Sequence, residues 1–358
     1  MTKISYLRKR LREEYNKRNL YEALAISDAL LDEHLNCQMT DIARANDLYN
    51  TALIYDEMDK LEDAAVLYKE SAIQICGCEA RYMGIGSPFL ELSEKNWLAL
   101  ALRINNLAGV LARMKNYYAA NHHFVLAKAI YTRFNHPKAI DIVYNMGNLA
   151  AETNNLKEAL DWHENVLETR NKEGASPEDI MHSLHSLAFI HEEKGEYQKA
   201  VSYAETALIH ATGADCTSAS IYLAGLYEAC GQSDKALELY AQILDEMTKT
   251  GYRRCDYLTI LNRRANLVYK TGDPVEAIQL HEEVLDMYHS LTSLDIDDLD
   301  DMLYTNCLKN IAELKSTIGE TADADEYMLK SIMSHNINSG EHIGEIETDM
   351  WQRKNKFL

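Results

Sequence analysis

Proline and glycine are scarce in this chain, with 4 prolines and 15 glycines among 358 residues. A fold of many short strands needs turn residues at close intervals, so this scarcity argues against it and favours long helices. No stretch of the sequence approaches the roughly 18 uninterrupted apolar residues of a membrane span. The N-terminal sequence MTKISYLRKRLREEY carries charges where a secretory signal needs an apolar core.

Cysteine pairs and excess positive charge are also lacking. The 7 cysteines are scattered, odd in number and without a Cys-x-x-Cys pair, which argues against a disulfide framework and predicts a reducing, cytoplasmic location. The formal net charge of −20 argues against a general nucleic-acid binder, which needs a basic face. We therefore expect no nucleic-acid partner, no membrane partner and no cofactor.

Small residues recur in pairs that lie twelve positions apart. Hydrophobic residues make up 47% of the chain, enough for a large core or for several stacked small ones. We call the first member of each pair the anchor of its repeat, and its neighbours are numbered from it. The pairs are Ala52 and Ala64, Ala108 and Ala120, Gly147 and Ala159, Ala188 and Ala200, Ala224 and Ala236, Ala265 and Ala277, and Ala312 and Ala324.

A turn lies between the members of each pair, as in KGEYQKA, CGQSDKA, TGDPVEA and IGETADA. The glycines of these segments stand where a first helix would end, and Asp273 with Pro274 is typical of the start of a second helix. Each repeat is therefore predicted to be two helices joined by a turn. The paired small residues would mark the point where the helices touch, since only Gly or Ala lets backbones approach so closely.

These repeats predict an all-α fold, a right-handed α-solenoid of stacked helical hairpins. The anchors are spaced by 36 to 56 residues. An earlier copy, LREEYNKRNLYEALAISDALL, has Leu11 in the anchor position and is interpreted as a degenerate cap. The predicted organisation is a capping repeat over 1–40, a repeat over 41–75, an insertion over 76–94, six further repeats over 95–337 and a C-terminal capping helix over 338–358.

The repeats resemble the tetratricopeptide family. The resemblance lies in the anchor, in aromatic residues one turn away and in the second-helix alanine, as in YLAGLYEACGQSDKALELYAQIL and SLAFIHEEKGEYQKAVSYAETAL. The family spacing is about 34 residues, and the longer period here, with NNLAGVLARMKNYYAA, is similar to the kinesin-light-chain type of repeat. The resemblance covers roughly residues 6–336. It implies an interaction scaffold whose concave groove, lined by the first helices, binds peptides.

Asparagines and aromatic residues form rows at equivalent positions of the first helices. They occupy positions −3, −2 and +1 relative to the anchor, and the resemblance implies that these positions face the groove. An amide offers two donors and an acceptor, so it can bind an extended peptide backbone without reading its sequence. The candidate peptide-binding residues are Tyr49, Asn50, Asn105, Asn106, Tyr144, Asn145, Asn148, His185, Phe189, Tyr222, Asn262, Arg263, Asn266, Lys309 and Asn310.

A second interpretation of the asparagines stays open, in which they only bond neighbouring helices and hold the stack together. Capture of a peptide carboxylate, the best-known use of such arrays, is matched only in part, because Asn262 stands where the family has lysine. Acidic residues dominate the early repeats, whereas Arg263, Lys270 and Lys309 make the later ones more basic. This charge pattern predicts a ligand with one basic and one acidic end, whose binding weakens with salt.

Other potential sites have simpler explanations. Cys76 and Cys78 lack a second ligand pair for zinc, and the nearby GIGS lacks the lysine of a phosphate loop. His182, His185 and His191 do not form the H-E-x-x-H pattern of zinc proteases. The corresponding second-helix residues His163 and His281 indicate a repeat consensus rather than catalysis. The acidic segment SLDIDDLDD lacks the glycine and spacing of a calcium loop, and the basic first helix is typical of a charged cap.

The sequence therefore predicts a non-enzymatic protein or peptide scaffold, with no catalytic or metal site. The alternative is a peptide-sensing receptor similar to the bacterial pheromone-responsive regulators, but without their DNA-binding domain. A scaffold would bind its partner with little change of shape. A receptor would change shape when a short peptide binds.

Overall fold

A computed structural model of the protein describes residues 3–36, 41–77, 91–251, 254–290 and 302–339. These ranges contain sixteen α-helices and no strand. The chain forms two compact units, Met1–Lys194 and Gly195–Leu358. The predicted all-α repeat fold is confirmed.

The first unit contains nine helices, and each packs against the next along the chain. They are α1 (Lys3–Asn16), α2 (Leu20–Asn36), α3 (Asp41–Glu57), α4 (Leu61–Cys76), α5 (Glu94–Arg113), α6 (Tyr117–Arg133), α7 (Ala139–Glu152), α8 (Leu156–Glu173) and α9 (Pro177–Glu193). The odd-numbered helices α3, α5, α7 and α9 contain the anchors and are the first helices of their repeats. Direct contacts also join α5 to α7 and α7 to α9.

The second unit contains seven helices that also pack in chain order. They are α10 (Tyr197–His210), α11 (Ala214–Ala229), α12 (Ser233–Thr250), α13 (Arg254–Thr271), α14 (Pro274–His289), α15 (Leu303–Thr317) and α16 (Thr321–Ser339). The first helices α13 and α15 are in direct contact.

The paired small residues lie in the core, as their spacing predicts. Ala52 and Ala64 are fully buried, and so are Ala108 and Ala120. Larger side chains pack around these points, with Tyr68, Phe124 and Tyr240 at the same second-helix position, four residues after its alanine. Each hairpin therefore buries its own apolar seam and adds it to that of its neighbours, as expected for a repeat array.

Every hairpin turn places one residue in the left-handed conformation, seven positions after the anchor. Four of these residues are glycines, Gly195, Gly231, Gly272 and Gly319, with φ between 71° and 96°. The other four are Arg18, Asp59, Lys115 and Asn154, with φ between 57° and 62°. Since Arg18 follows Leu11 by the same seven residues, the N-terminal hairpin shares the turn geometry of the others despite its degenerate sequence.

Local capping sets several of the helix starts. Asp273 accepts a hydrogen bond from the backbone N–H of Glu276 at 3.1 Å, and Pro274 occupies the first turn of α14, as predicted. Ser176 caps α9 in the same way through the N–H of Asp179. These contacts satisfy backbone donors that the first turn of a helix leaves unpaired.

Two predicted segments lie largely outside the described residues. The insertion over 76–94 is described only at its ends, where α4 continues to Cys76 and Ser93 caps α5. The C-terminal capping helix over 338–358 lies beyond the described range except for its first two residues. Among the helices that the structure describes, none is long and apolar enough to span a membrane.

Two glycines of one repeat should respond in opposite ways to alanine. Gly231 has φ 71°, so Gly231→Ala should lower the unfolding free energy by about 1 kcal/mol because a side chain disfavours this conformation. Gly225 lies inside α11 with nothing within 4 Å of an added Cβ, so Gly225→Ala should raise it by about 0.5–1 kcal/mol. Urea denaturation followed by circular dichroism measures both changes. If both substitutions changed the unfolding free energy in the same direction, the turn assignment would be contradicted.

A candidate binding groove on the first helices of the N-terminal unit

At least one polar contact joins each neighbouring pair of first helices from α3 to α9. Asn106 of α5 donates a hydrogen bond to the Tyr49 hydroxyl of α3 at 3.0 Å. Asn145 of α7 donates to the Oδ1 atom of Asn105 at 3.1 Å.

The third contact joins the hydroxyls of Tyr144 in α7 and Ser186 in α9, 3.0 Å apart. In all three contacts, position −2 of one repeat meets position −3 of the repeat before it. The helix-bonding interpretation of the asparagines therefore has direct structural support.

A buried arginine holds the start of this chain of contacts. Arg103 is 3% exposed, and its guanidinium donates to Ser71 Oγ at 2.6 Å and to Asn46 Oδ1 at 2.7 Å. It also lies 5.0 Å from the centroid of the Tyr49 ring, close enough for a cation–π contact. Burial lowers the pKa of Arg103 and raises that of Tyr49. These contacts orient the phenol that receives the Asn106 amide.

A cavity of about 360 Å³ lies against α3, α5 and α7, and we call it the asparagine pocket. Its lining includes Asn105, Asn106, Asn145, Asn148, Gly109 and Glu152. Four of the predicted asparagines therefore lie around one cavity. Its acidic wall is partly neutralised, because Asp56 forms an ion pair with Arg113 and accepts a hydrogen bond from the Tyr68 hydroxyl at 3.1 Å.

A second cavity of about 340 Å³ lies against α7, α8 and α9, and we call it the histidine pocket. Its lining includes Asn148, Glu152, His163, His185, Phe189 and Glu193. Asn148 and Glu152 line both cavities, so the two pockets adjoin along one face of α7. We call the two together the groove.

Hydrogen-bonding capacity remains in the groove. Each amide has two N–H donors and an oxygen that accepts two hydrogen bonds, and the contacts above use only part of this capacity. Asn148 makes no side-chain hydrogen bond within the part of the chain that the structure describes. A ligand in the groove would therefore meet available amide groups, and Asn148 can be substituted without breaking a contact between helices.

His163 is the most unusual group in the groove. It is fully buried, and neither ring nitrogen has a hydrogen-bond partner within the described structure. Its ring lies edge-on to that of Tyr144, with centroids 5.1 Å apart. A Cβ atom on Gly147 would lie 2.7 Å from its Nε2 atom, so glycine replaces the usual alanine at this anchor because the imidazole occupies the space. Burial, and secondarily the charge of Arg170, lowers the pKa of His163 to about 4.

The remaining candidates of the first unit lie apart from these pockets. Asn50 is exposed and lines a smaller cavity of about 210 Å³ together with Arg8, Arg12 and Tyr15. Tyr49 and Tyr144 serve the contacts between helices and are not among the residues that line the two pockets.

Candidates of the second unit show a different pattern of contacts. Asn310 donates to Asn266 Oδ1 at 2.9 Å and lies 3.3 Å from Nε2 of the buried His281. Asn262 accepts a hydrogen bond from the thiol of Cys307 at 3.3 Å. The contact of Asn310 with Asn266 thus joins position −2 of one repeat to position +1 of the preceding repeat. In the first unit position −2 meets position −3, so the register here is shifted by one helical turn.

The other three candidates of this unit do not form a common site. Lys309 forms an ion pair with Glu313 at 3.8 Å, and Tyr222 is half-buried. Arg263 lines a cavity of about 1,030 Å³ with Ile221, Met247 and Ile260. No group of three or more His, Cys, Asp or Glu residues that could hold a metal occurs in the described ranges.

The list of candidate peptide-binding residues leaves out several residues that line the groove, although the sequence placed Glu152 and Glu193 in its acidic part. Gly109, like Asn148, is at position +1, and Arg113, Glu152 and Glu193 are at position +5, one turn further along the same helical face. Indexing positions +1 and +5 together would have found them, since residues four apart share a face. His163 had no such signal, because its place in the repeat matches that of buried core residues.

Comparison with known proteins agrees with this repeat architecture. The family model described as Tetratricopeptide repeat matches residues 98–172 and 215–290. The matched residues of this chain are therefore tetratricopeptide repeats. A search of curated proteins gives no significant match. Proteins of this family are typically non-catalytic scaffolds.

Solved structures with similar folds share little sequence with it. A signal transduction ATPase from Pyrococcus horikoshii with a tetratricopeptide repeat sensor has a TM-score of 0.64 and 19% identity, and the match covers 91% of this chain and 46% of that one. A Rap protein in complex with competence and sporulation factor has a TM-score of 0.50 and 15% identity, covering 95% and 86%. A kinesin light chain-like repeat protein from Podospora anserina has a TM-score of 0.45 and 20% identity, covering 57% and 99%.

Acidification should destabilise this protein through the fully buried histidines His163 and His281. Burial lowers the pKa of His281 to about 4, as it does for His163. An unfolded histidine has a pKa near 6.5, so between pH 6.5 and 4 the unfolded chain binds more protons and the unfolding free energy falls. Each histidine should contribute roughly 1 kcal/mol per pH unit in this window and nothing above it.

Urea denaturation at pH 7 and pH 5 measures this effect. His281→Phe places at this position the residue that Phe124 provides in another repeat, so it should fold and show a smaller fall of the unfolding free energy between pH 7 and pH 5. An unchanged difference between the two pH values in this variant would contradict the assignment.

Proposed function

We propose that the chain is a non-enzymatic scaffold that binds a protein or peptide segment in the groove of the asparagine and histidine pockets. The observation that carries the proposal is that two adjoining cavities, sharing Asn148 and Glu152, are lined by amides with unused hydrogen-bonding capacity. Such groups suit the backbone of an extended peptide, whose N–H and C=O groups recur along its length. The net charge of −20 favours this class of partner over nucleic acid.

Similar folds support the same class of ligand. The Rap protein described above was solved in complex with competence and sporulation factor, so a related helical array accommodates a separate ligand. On this proposal, Asn105, Asn106 and Asn145 have two roles, because they bond neighbouring helices and also present their remaining groups to the ligand.

Filling the asparagine pocket should abolish ligand binding without unfolding the protein. An added Cβ on Gly109 meets nothing within 4 Å, and Gly109 lines the pocket, so Gly109→Leu places a side chain in the space the ligand needs. We expect at least a tenfold loss of retained peptides when the immobilised full chain is incubated with a random dodecapeptide mixture. Asn148→Ala should cause a smaller loss, of roughly fivefold, because it removes one amide with hydrogen bonds of about 1 kcal/mol.

Gly225→Leu is the matched control, since Gly225 has the same position in its repeat and the same free space around an added Cβ. It should leave retention unchanged. Circular dichroism and urea denaturation establish that all three variants are folded. Retention that is insensitive to Gly109→Leu would exclude the groove as the binding site.

A peptide-responsive receptor is the second candidate, and we propose it on the similarity to the Rap complex and to the archaeal protein with a tetratricopeptide repeat sensor. Each repeat contacts mainly its neighbours, so small rotations between repeats accumulate along an array. A receptor should therefore show a smaller radius of gyration in X-ray scattering when a retained peptide saturates it. An unchanged radius, with Gly109→Leu as the non-binding control, would favour the scaffold.

A further inference from the structure

The histidine pocket has two exposed carboxylates that no cationic side chain pairs with in the described structure. Glu152 and Glu193 both line it, and neither forms an ion pair or a side-chain hydrogen bond within the described residues. No lysine or arginine is among its lining residues. In the neighbouring asparagine pocket, by contrast, Asp56 is paired with Arg113. Glu152 lines the asparagine pocket as well, so the histidine pocket differs from it in having two unpaired carboxylates and no lysine or arginine in its wall.

An independent observation at the same cavity also indicates a missing partner. His163 lines the histidine pocket, is fully buried and has no hydrogen-bond partner at either ring nitrogen within the described structure. A buried polar group without a partner costs free energy comparable to that of a lost hydrogen bond, and such groups are rare. The ring forms part of the cavity wall, so the chemistry of this wall differs from that of a fully satisfied core.

Part of the remaining wall is apolar, beside the polar Asn148, His185 and Ser186. Phe189 is 42% exposed despite its size, and Ala151 and Ile190 line the cavity beside it. A side chain that fits this pocket has an apolar stem to cover Phe189 and a cationic end to meet Glu152 and Glu193. Lysine and arginine have this construction, with an aliphatic stem that packs on apolar surface while the charged end stays near water or a carboxylate.

We propose that the histidine pocket is a specificity pocket for a lysine or arginine side chain of the bound segment. This inference rests on the proposed function, since it names the chemistry of a ligand held in the same groove. The amides of the asparagine pocket hold the ligand backbone without regard to sequence. The pair of carboxylates in the histidine pocket selects a basic residue at one position of that ligand, and the buried ring of His163 forms part of its wall.

Peptide selection from a random mixture tests the inference directly. Full-length protein is immobilised and incubated with random dodecapeptides, and the retained peptides are sequenced by mass spectrometry. After the retained peptides are aligned, we expect lysine and arginine to be enriched about fivefold at one position of the alignment relative to the random mixture. This is the size expected for a partly exposed charge-assisted contact. Raising the salt concentration from 0.05 to 0.5 M should reduce the enrichment.

A matched pair of variants separates the pocket from the general negative charge of the protein. Glu152→Gln with Glu193→Gln removes the two pocket carboxylates while conserving shape. Glu164→Gln with Glu173→Gln removes two exposed carboxylates of α8 that are not among the pocket residues. The first pair should lose the basic preference while still retaining peptides, and the second pair should keep it. Equal loss in both pairs would overturn the inference, because the preference would then come from overall charge.

The outcomes distinguish this inference from the proposed function. The wild-type protein could retain peptides that Gly109→Leu fails to retain, with no enrichment of lysine or arginine among them. That result would overturn the specificity pocket but leave the groove as the binding site. Enrichment that survives Glu152→Gln with Glu193→Gln would also overturn it. Retention that is absent, or insensitive to Gly109→Leu, would overturn both.

Discussion

The close contact between the two helices of each hairpin is the constraint on which the rest of the structure depends. Fully buried pairs such as Ala108 and Ala120 allow this contact, because a larger side chain at either point would hold the backbones apart. Once the anchor of a first helix faces its partner, the helical period decides which residues lie on each other face. The asparagines at positions −3, −2 and +1 share a face for this reason.

The same contact explains the most specialised part of the groove. At one hairpin the second helix carries His163 where others carry Tyr68 or Phe124, and the anchor is Gly147. Glycine admits the imidazole next to the backbone, and the buried ring then forms part of a cavity wall. A small change in the packing of one hairpin thus creates a pocket whose chemistry differs from that of its neighbour.

On the proposed function, stability and recognition use the same side chains in this protein. The contacts of Asn106 with Tyr49 and of Asn145 with Asn105 join neighbouring first helices, and these asparagines also line the asparagine pocket. The two interpretations of the asparagine rows are therefore compatible, since an amide has more hydrogen-bonding groups than one contact between helices uses. Groove residues with no such contact, such as Asn148, can vary without loss of the stack.

The sequence alone determined the repeat, the turns and the helical faces, because these follow from local rules: a twelve-residue spacing of small residues, glycine after a helix and the period of 3.6. Tertiary structure alone decided which amides meet. Position −2 bonds position −3 of the preceding repeat in the first unit, yet Asn310 bonds Asn266 at position +1 in the second. Loop length does not predict this register, since the 56-residue spacing before Ala108 keeps the pattern of the 39-residue spacing after it. The packing of side chains from different repeats decides the register and the two pockets. It also decides that the ring nitrogens of His163 have no hydrogen-bond partner within the described structure. That packing is not encoded in the pattern of any single repeat.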